Sequence, residues 1–365
     1  MSVRHRIAVD HSAIVHNATL LRELVSPAEL WAVVKADGYG HGAETAARGA
    51  LAGGATRLAC ATLGEARALR STIAEAVPVI VLTPLIDGEE DEADGFEVVI
   101  SSLRAFERLA ASRVAVGVHL KVDSGMGRWG MSPDAARWTS QAIAADPRLS
   151  LVGVLSHLAT ADEDDQTFLV DQLARFREAA RRLPSAPRHL ANSAAALLAP
   201  ATHFDAVRCG IALYGISPQD RDARAFGLLP ALRWTSHVAA TKELATGDSV
   251  GYGRRFVASE RARIALVPVG YADGFPRAAS GTAEVLIRGR RRRVAATVSM
   301  DQLSVIVSDD VEVGDDVVIV GDQGQACVTI EELARAAGTI GYEVVCGIGN
   351  ASRRGERVTA PTPPG

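Results

Sequence analysis

Aromatic residues make up only 5% of this 365-residue chain, cysteine occurs four times, and the net charge at neutral pH is only −4. Each scarcity excludes something. Cys60, Cys209, Cys327 and Cys346 form no Cys-x-x-Cys pair and no cluster with histidine, which argues against a zinc site or a disulfide framework and fits a reducing compartment. The small negative charge gives no overall basic surface, so neither nucleic acid nor a membrane is an expected partner. No run approaches the roughly 18 apolar residues of a spanning helix, and "MSVRHRIAVD" has no apolar signal core. A cytoplasmic protein is expected. What is present is ordinary for a globular chain, with 48% hydrophobic and 22% charged residues. The length calls for two domains, or one barrel with an appendage.

Short apolar runs alternate with helical patterns through the first part of the chain. Residues 4–10 read as a strand, and Asp10 is placed to cap the helix after it. Strands are expected at 30–34, 58–62, 77–82, 98–100, 115–122, 149–156, 189–191 and 206–208. Helices are expected at 44–52, 65–74, 103–111, 133–145 and 166–182. In the last of these Leu169, Leu173, Phe176 and Ala180 form an apolar stripe. About eight βα units in about 225 residues is the rhythm of an α/β (β/α)8 TIM-type barrel. Near residue 230 helical periodicity fades. Alternating strand patterns such as "ARIALVPVG", "AEVLIRG" and "DDVVIVG" take over, with one late helix at 330–337. The expected organisation is a barrel over 1–229 and a mostly antiparallel β domain over 230–365. The Arg-rich run from Arg288 to Arg293 reads as a hairpin turning at Gly289 rather than a nucleic-acid patch, and the tail "TAPTPPG" as disordered.

The most informative stretch is 30–42, "LWAVVKADGYGHG". A strand that ends on Lys35 and opens into a glycine-rich loop puts an amine at the carboxyl rim of a parallel sheet, where such folds keep their chemistry. Three glycines in the loop allow a ligand close to the backbone. By spacing alone, one surface lysine beside a flexible turn is an equally good reading.

"AVVKADGYGHG" resembles the cofactor-lysine motif of the alanine racemases, racemases of fold type III that depend on pyridoxal 5′-phosphate (PLP), and later motifs continue the match. The resemblance implies that Lys35 holds the cofactor and serves as one base. Tyr252 in "VGYGRRF" is then the second base on the opposite face of the substrate carbon. A tyrosine is a poor base at its unperturbed pKa of about 10, so a cation must favour the phenolate, and Arg128 ("GMGRWG") and His157 ("SHLATAD") are the candidates. "VRCGIALYG" supplies Arg208 toward the pyridine nitrogen, and an arginine there does not hand over its proton. Gly210 and Ile211 offer backbone N–H groups to the cofactor phosphate, with Ser193, Asn192, Tyr39 and Tyr342 completing that set. Read from the residues alone, Ser193 is also a candidate helix N-cap. His189 is implied to buttress Arg208. For the substrate, Arg128 is the carboxylate partner, Met300 ("VSMDQ") offers a main-chain N–H, Asp301 supports it, and Tyr271 ("VGYADGFPR") limits side-chain size. Lys121 stands where some members carry a carbamate that orients the arginine. The resemblance further implies a head-to-tail homodimer in which Tyr252 reaches the partner's barrel.

Three departures stand out: Ser299 where many members have cysteine, Trp129 in place of a smaller aliphatic, and "CGIGNASRRGERV" after Tyr342. The leading expectation is racemisation of L- and D-alanine, supplying D-alanine for peptidoglycan. A racemase for serine or another small amino acid, a non-catalytic PLP-binding barrel protein, and a decarboxylase of basic amino acids are the rivals. The second lacks a β domain, and the third should show acidic partners for a distal amine.

Overall fold

The computed structural model describes residues 3–219, 221–350 and 354–360. The chain forms two compact units, one of Ile14–Gly38 and Ala43–Leu213, the other of Met1–Ala13, Tyr39–Gly42 and Tyr214–Gly365. The first strand, β1 (Arg6–Asp10), belongs to the second unit, as does everything from Tyr214 onward, whereas the sequence rhythm changes only near residue 230. Backbone pairing is the reason, since both neighbours of β1 are strands of the second unit. Asp10 does cap the helix His11–Val25, its Oδ1 accepting the N–H groups of Ser12 and Ala13 at 2.9 and 3.2 Å.

The first unit is a closed parallel barrel. Its strands are β2 (Glu29–Val33), β3 (Arg57–Cys60), β4 (Val79–Val81), β5 (Glu97–Ile100), β6 (Val116–Lys121), β7 (Leu149–Leu155), β8 (Arg188–His189) and β9 (Ala206–Cys209). β9 returns to pair with β2, Glu29 lying opposite Ala206 and Ala32 opposite Cys209. The intervening helices start where the sequence offers side-chain caps. Thr62 and Glu65 form a reciprocal capping box before Leu63–Arg70, and Ser102 caps Leu103–Ala111. Ser132 followed by Pro133 opens Pro133–Ala145. Between β4 and β5 the regular structure is one 3-10 turn, Glu90–Glu92. The barrel interior is only partly apolar. Trp31, His119 and His189 are all fully buried in it.

The second unit is built on a ten-stranded sheet. Its members are β1, β10 (Leu232–His237), β11 (Ala240–Leu244), β14 (Ala262–Val267), β15 (Glu284–Ile287), β16 (Arg290–Ala295), β17 (Leu303–Val307), β18 (Asp316–Gln323), β19 (Ala326–Val328) and β20 (Glu356–Ala360); β12 (Ser249–Val250) and β13 (Phe256–Val257) pair separately. β1 lies between β10, antiparallel, and β20, parallel. The expectation of a disordered "TAPTPPG" therefore fails at its start, since Thr359 and Ala360 pair with Val9 and Asp10; the last five residues lie outside the described ones. β15 and β16 are the arginine hairpin, and two of its arginines are paired with carboxylates. Arg291 meets Glu284 and Glu332 at 3.1 and 2.8 Å, and Arg292 meets Asp310 at 3.1 Å.

Sequence reading supplied no helix for Gly341–Asn350, which carries three glycines and two valines against helix propensity. Packing overrides propensity there. A Cβ on Gly349 would stand 2.1 Å from the Cα of Gly40, and one on Gly40 would stand 2.3 Å from the carbonyl oxygen of Val345. Gly40 thus serves a backbone-to-backbone contact with a helix, where the loop glycines suggest room for a ligand.

Candidate active site

β2 delivers Lys35 to its carboxyl end, and the chain then makes a left-handed turn. Ala36, Asp37 and Gly38 have φ/ψ near +52/+50, +53/+49 and +62/+43, and Tyr39 has φ +52. L-residues pay about 1–2 kcal/mol each for this conformation. The turn is held by several bonds: Gly38 N–H to Val34 O at 2.9 Å, Ala36 N–H to Glu65 Oε1 at 2.8 Å and Ala43 N–H to Asp37 Oδ1 at 2.8 Å.

Around Lys35 the neighbouring strands bring basic groups. Lys121 ends β6, His157 follows β7, and Arg208 stands in β9. Burial, then the charges of Arg208, Lys121, Arg128 and Lys35, drive the His157 pKa down to about 3, so its imidazole is neutral at neutral pH. Burial, with Arg208 and Arg128, brings Lys121 down to about 8. The largest electrostatic influences on His157 all come from cations, which marks this rim as a site for an anionic ligand. Arg128 is exposed, on the loop after β6.

Arg208 is 5% exposed, and burial lowers its pKa to about 10. Its Nη1 donates to His189 O at 2.7 Å and to His189 Nδ1 at 3.0 Å. Its Nη2 donates to Ser156 O at 2.8 Å and lies 3.3 Å from His157 Nδ1. Every acceptor is neutral. Nearby, Asn192 rather than Ser193 caps the helix Ser193–Leu198, its Oδ1 accepting Ala195 N–H at 3.0 Å. Ser193 Oγ instead accepts the N–H groups of Gly210 and Ala212 at 2.9 and 3.3 Å, beside Ile211 at the start of the 3-10 turn Ile211–Tyr214. The buried Ser193 hydroxyl thus gathers the Gly210 and Ala212 amides around it, and its own O–H is left to donate.

The remaining expected residues lie in the second unit. Tyr39 is buried and packs against Tyr214 and Tyr342 with ring centroids 5.3 and 6.1 Å apart. Tyr252 sits in a tight turn between Gly251 (φ +69) and Gly253 (φ +73) and is 73% exposed in the single chain. Met300 and Tyr271 are also exposed. Tyr271 and Ala272 donate their N–H groups to Ser299 O and Met300 O, each at 3.0 Å, so the two loops are zipped together. Asp301 pairs with Arg354.

Sequence reasoning passed over His119, Glu97 and Arg57. His119 Nδ1 lies 3.1 Å from His189 Nε2, and His119 Nε2 lies 2.8 Å from Glu97 Oε2. The signal was present: His119 stands two residues before Lys121 on β6, so both face the same side of the strand.

Comparison with known proteins agrees with this geometry. The alanine racemase N-terminal domain model matches residues 9–218 and the C-terminal domain model residues 231–356. The chain is 41% identical to the alanine racemase of Symbiobacterium thermophilum, covering 93% of each chain. It is also 41% identical to that of Frankia casuarinae, covering 95% of this chain and 94% of the other. Among solved structures, the alanine racemase of Streptomyces coelicolor superposes with a TM-score of 0.92 at 38% identity over 97% of both chains. That of Bartonella henselae, solved with covalently bound pyridoxal phosphate, gives 0.87 at 26% identity over 99% of this chain and 100% of that one. With both domain models matched in order and the cationic rim formed by the barrel strands, the chain belongs to the alanine racemase family, whose members depend on PLP.

Proposed function

We propose that this protein interconverts L- and D-alanine with PLP bound at the carboxyl rim of the barrel, supplying D-alanine for peptidoglycan from the cytoplasm. The observation that carries this reading is the gathering of Lys35, Lys121, Arg128 and Arg208 about a neutral His157 in a chain of this family. A cationic rim with the Ser193 hydroxyl and the start of the Ile211–Tyr214 turn beside it suits a ligand with both a phosphate and a carboxylate.

In this reading Lys35 is the attachment point, and Tyr39, Asn192, Ser193, Gly210, Ile211, Tyr342 and His157 hold the cofactor. PLP, when bound, delocalises the electron pair left at the substrate Cα. Arg208 keeps its proton at neutral pH, since even its lowered pKa of about 10 leaves it charged, and so it donates a hydrogen bond without acting as an acid. That limits electron withdrawal and favours return of the proton to the same carbon. Arg128 binds the substrate carboxylate through paired N–H groups, with the Met300 N–H as a second donor and Tyr271 bounding the side-chain space. The Lys35 amine and the Tyr252 oxygen exchange the Cα proton from opposite faces, one removing it while the other supplies one. With His157 neutral, Arg128 is the cation that favours the Tyr252 oxygen as base. A second chain covers Tyr252 in a head-to-tail homodimer; the exposure of Tyr252 and Met300 in the single chain supports this. Among the described residues no helix is long and apolar enough to cross a membrane.

The test is incubation of the PLP-loaded protein with L-alanine, and separately with L-serine, in heavy water, following Cα deuteration and chirality together. Deuterium uptake with loss of optical purity on alanine is expected. Bound cofactor with no exchange on alanine overturns the assignment.

A further inference from the structure

Arg208 is a buried cation whose hydrogen-bond acceptors are all neutral, and burying a charge without a partner is costly. A line of hydrogen bonds links it to a carboxylate through the barrel. Arg208 Nη1 meets His189 Nδ1 at 3.0 Å, His189 Nε2 meets His119 Nδ1 at 3.1 Å, and His119 Nε2 meets Glu97 Oε2 at 2.8 Å. Glu97 opens β5, 3.4 Å from Arg57, which in turn holds Glu29 at the start of β2 at 2.9 Å. The line thus reaches from the carboxyl rim to the amino end of the barrel strands. Glu97 is 16% exposed, and both histidines are fully buried.

The ends of this line set its direction. A guanidinium can only donate, so His189 Nδ1 must accept and its proton sits on Nε2. That proton is given to His119 Nδ1, so His119 also carries its proton on Nε2. A carboxylate can only accept, and Glu97 receives it. Burial holds both imidazoles neutral. Burial raises the Glu97 pKa, but the His119 hydrogen bond and the Arg57 charge outweigh it and keep the group ionised. The surroundings are shaped for the pair. Trp31 packs on both rings, with centroids 4.5 Å from His189 and 5.7 Å from His119. A Cβ on Gly153 would come within 2.1 Å of His119 Nδ1 and 2.9 Å of His189 Nε2, so the glycine leaves room for the bond between them.

We infer that Glu97 is a positioning residue that locks the tautomers of His119 and His189 and so fixes the direction in which Arg208 donates. If the chain were reversed, His189 Nδ1–H would face Arg208 Nη1–H, donor against donor, and loosen the guanidinium at the site. The consequence for catalysis rests on the reading that Arg208 faces the cofactor; the hydrogen positions do not.

A neutron crystal structure of the full-length, PLP-loaded protein tests the lock directly. Deuterium is expected on Nε2 of both His119 and His189 and on neither Nδ1. Deuterium on either Nδ1 overturns the inference. Two variants then separate acceptor from charge. Glu97→Gln keeps an oxygen that accepts from His119, and kcat on L- and D-alanine should stay within about twofold of the parent. Glu97→Leu removes the acceptor and should lower kcat about tenfold, the scale of one buried hydrogen-bond group left unmatched, with KM unchanged. Equal losses in the two variants, or full activity in Glu97→Leu, refute the lock. If the parent itself does not racemise alanine, the proposed function fails, and the neutron result alone decides the inference.

Discussion

Replacing Gly349 by alanine sets helix propensity against packing, and the structure decides the sign. In an exposed helix interior alanine is more favourable than glycine by about 1 kcal/mol. At residue 349 the added Cβ would stand 2.1 Å from Gly40 Cα, over an ångström inside the 3.4–4 Å of ordinary contact, and 3.0 Å from its carbonyl carbon and oxygen. Both partners are backbone, so neither yields by a rotamer change, and overpacking of this kind costs about 1–3 kcal/mol or more. Taking the upper part of that range against the propensity gain leaves a net loss of about 2 kcal/mol. For a unit of this size that is a melting temperature lower by about 4–8 °C. Gly347 is the internal control. Its Cβ would meet only Gly274 O, at 3.7 Å, so Gly347→Ala should raise the melting temperature slightly. Calorimetry on the two single variants and the parent makes the comparison. If Gly349→Ala melts at or above the parent, the Gly40–Gly349 contact does not limit this helix, and the packing account of why Gly341–Asn350 is helical fails.

Lys35→Ala should abolish the visible absorbance of the bound cofactor, and an unchanged spectrum would remove Lys35 from its assigned place. Tyr252→Phe should slow Cα-hydrogen exchange from L-alanine about 10²-fold or more, the scale of a lost general base, with a much smaller effect on exchange from D-alanine. Equal losses in initial exchange from the two enantiomers would undo the two-base assignment. Ala36→Gly should stabilise the protein by about 0.5–1 kcal/mol, since an exposed residue at φ +52 sheds left-handed strain and pays only the flexibility of glycine in return; a lower melting temperature would show that the Ala36 methyl is needed.

The barrel was legible because its helices declare their starts. Ser132-Pro133 and Thr62 with Glu65 are local signals, and the apolar stripe from Leu169 to Ala180 follows a single period. What escaped was non-local. An alternating strand such as Arg6–Asp10 does not name its partner, and the parallel pairing of β1 with β20 joins residues about 350 positions apart. Loop-closure entropy penalises such a contact, and no sequence window contains it. The left-handed turn after Lys35 was half visible. Glycines 38, 40 and 42 announce positive φ, but Ala36, Asp37 and Tyr39 share it against their own preference. The N–H groups of Ala36 and Ala43, donating to the carboxylates of Glu65 and Asp37, help hold it there.

The candidate site divides in the same way. Lys35, Arg128, His157, Arg208 and Ser193 lie in contiguous motifs that a resemblance can carry. Glu97 and His119 lie in plain strands, where a single histidine among valines reads as a core residue. Their role becomes visible only by asking how a buried guanidinium with neutral acceptors is tolerated. Placing a carboxylate directly on Arg208 would compensate its charge but would also offer it a second strong acceptor and pull its donors away from the rim. Ending the line on Glu97 through two neutral imidazoles instead supplies an acceptor that fixes the direction of donation without placing an acid on Arg208. The barrel supplies the means, since β5, β6, β8 and β9 each contribute one residue to the line, and Trp31 and Gly153 border the two imidazoles. The polar line through this barrel thus joins one charged arginine near its carboxyl rim, bonded only to neutral acceptors, to a carboxylate acceptor at the amino end.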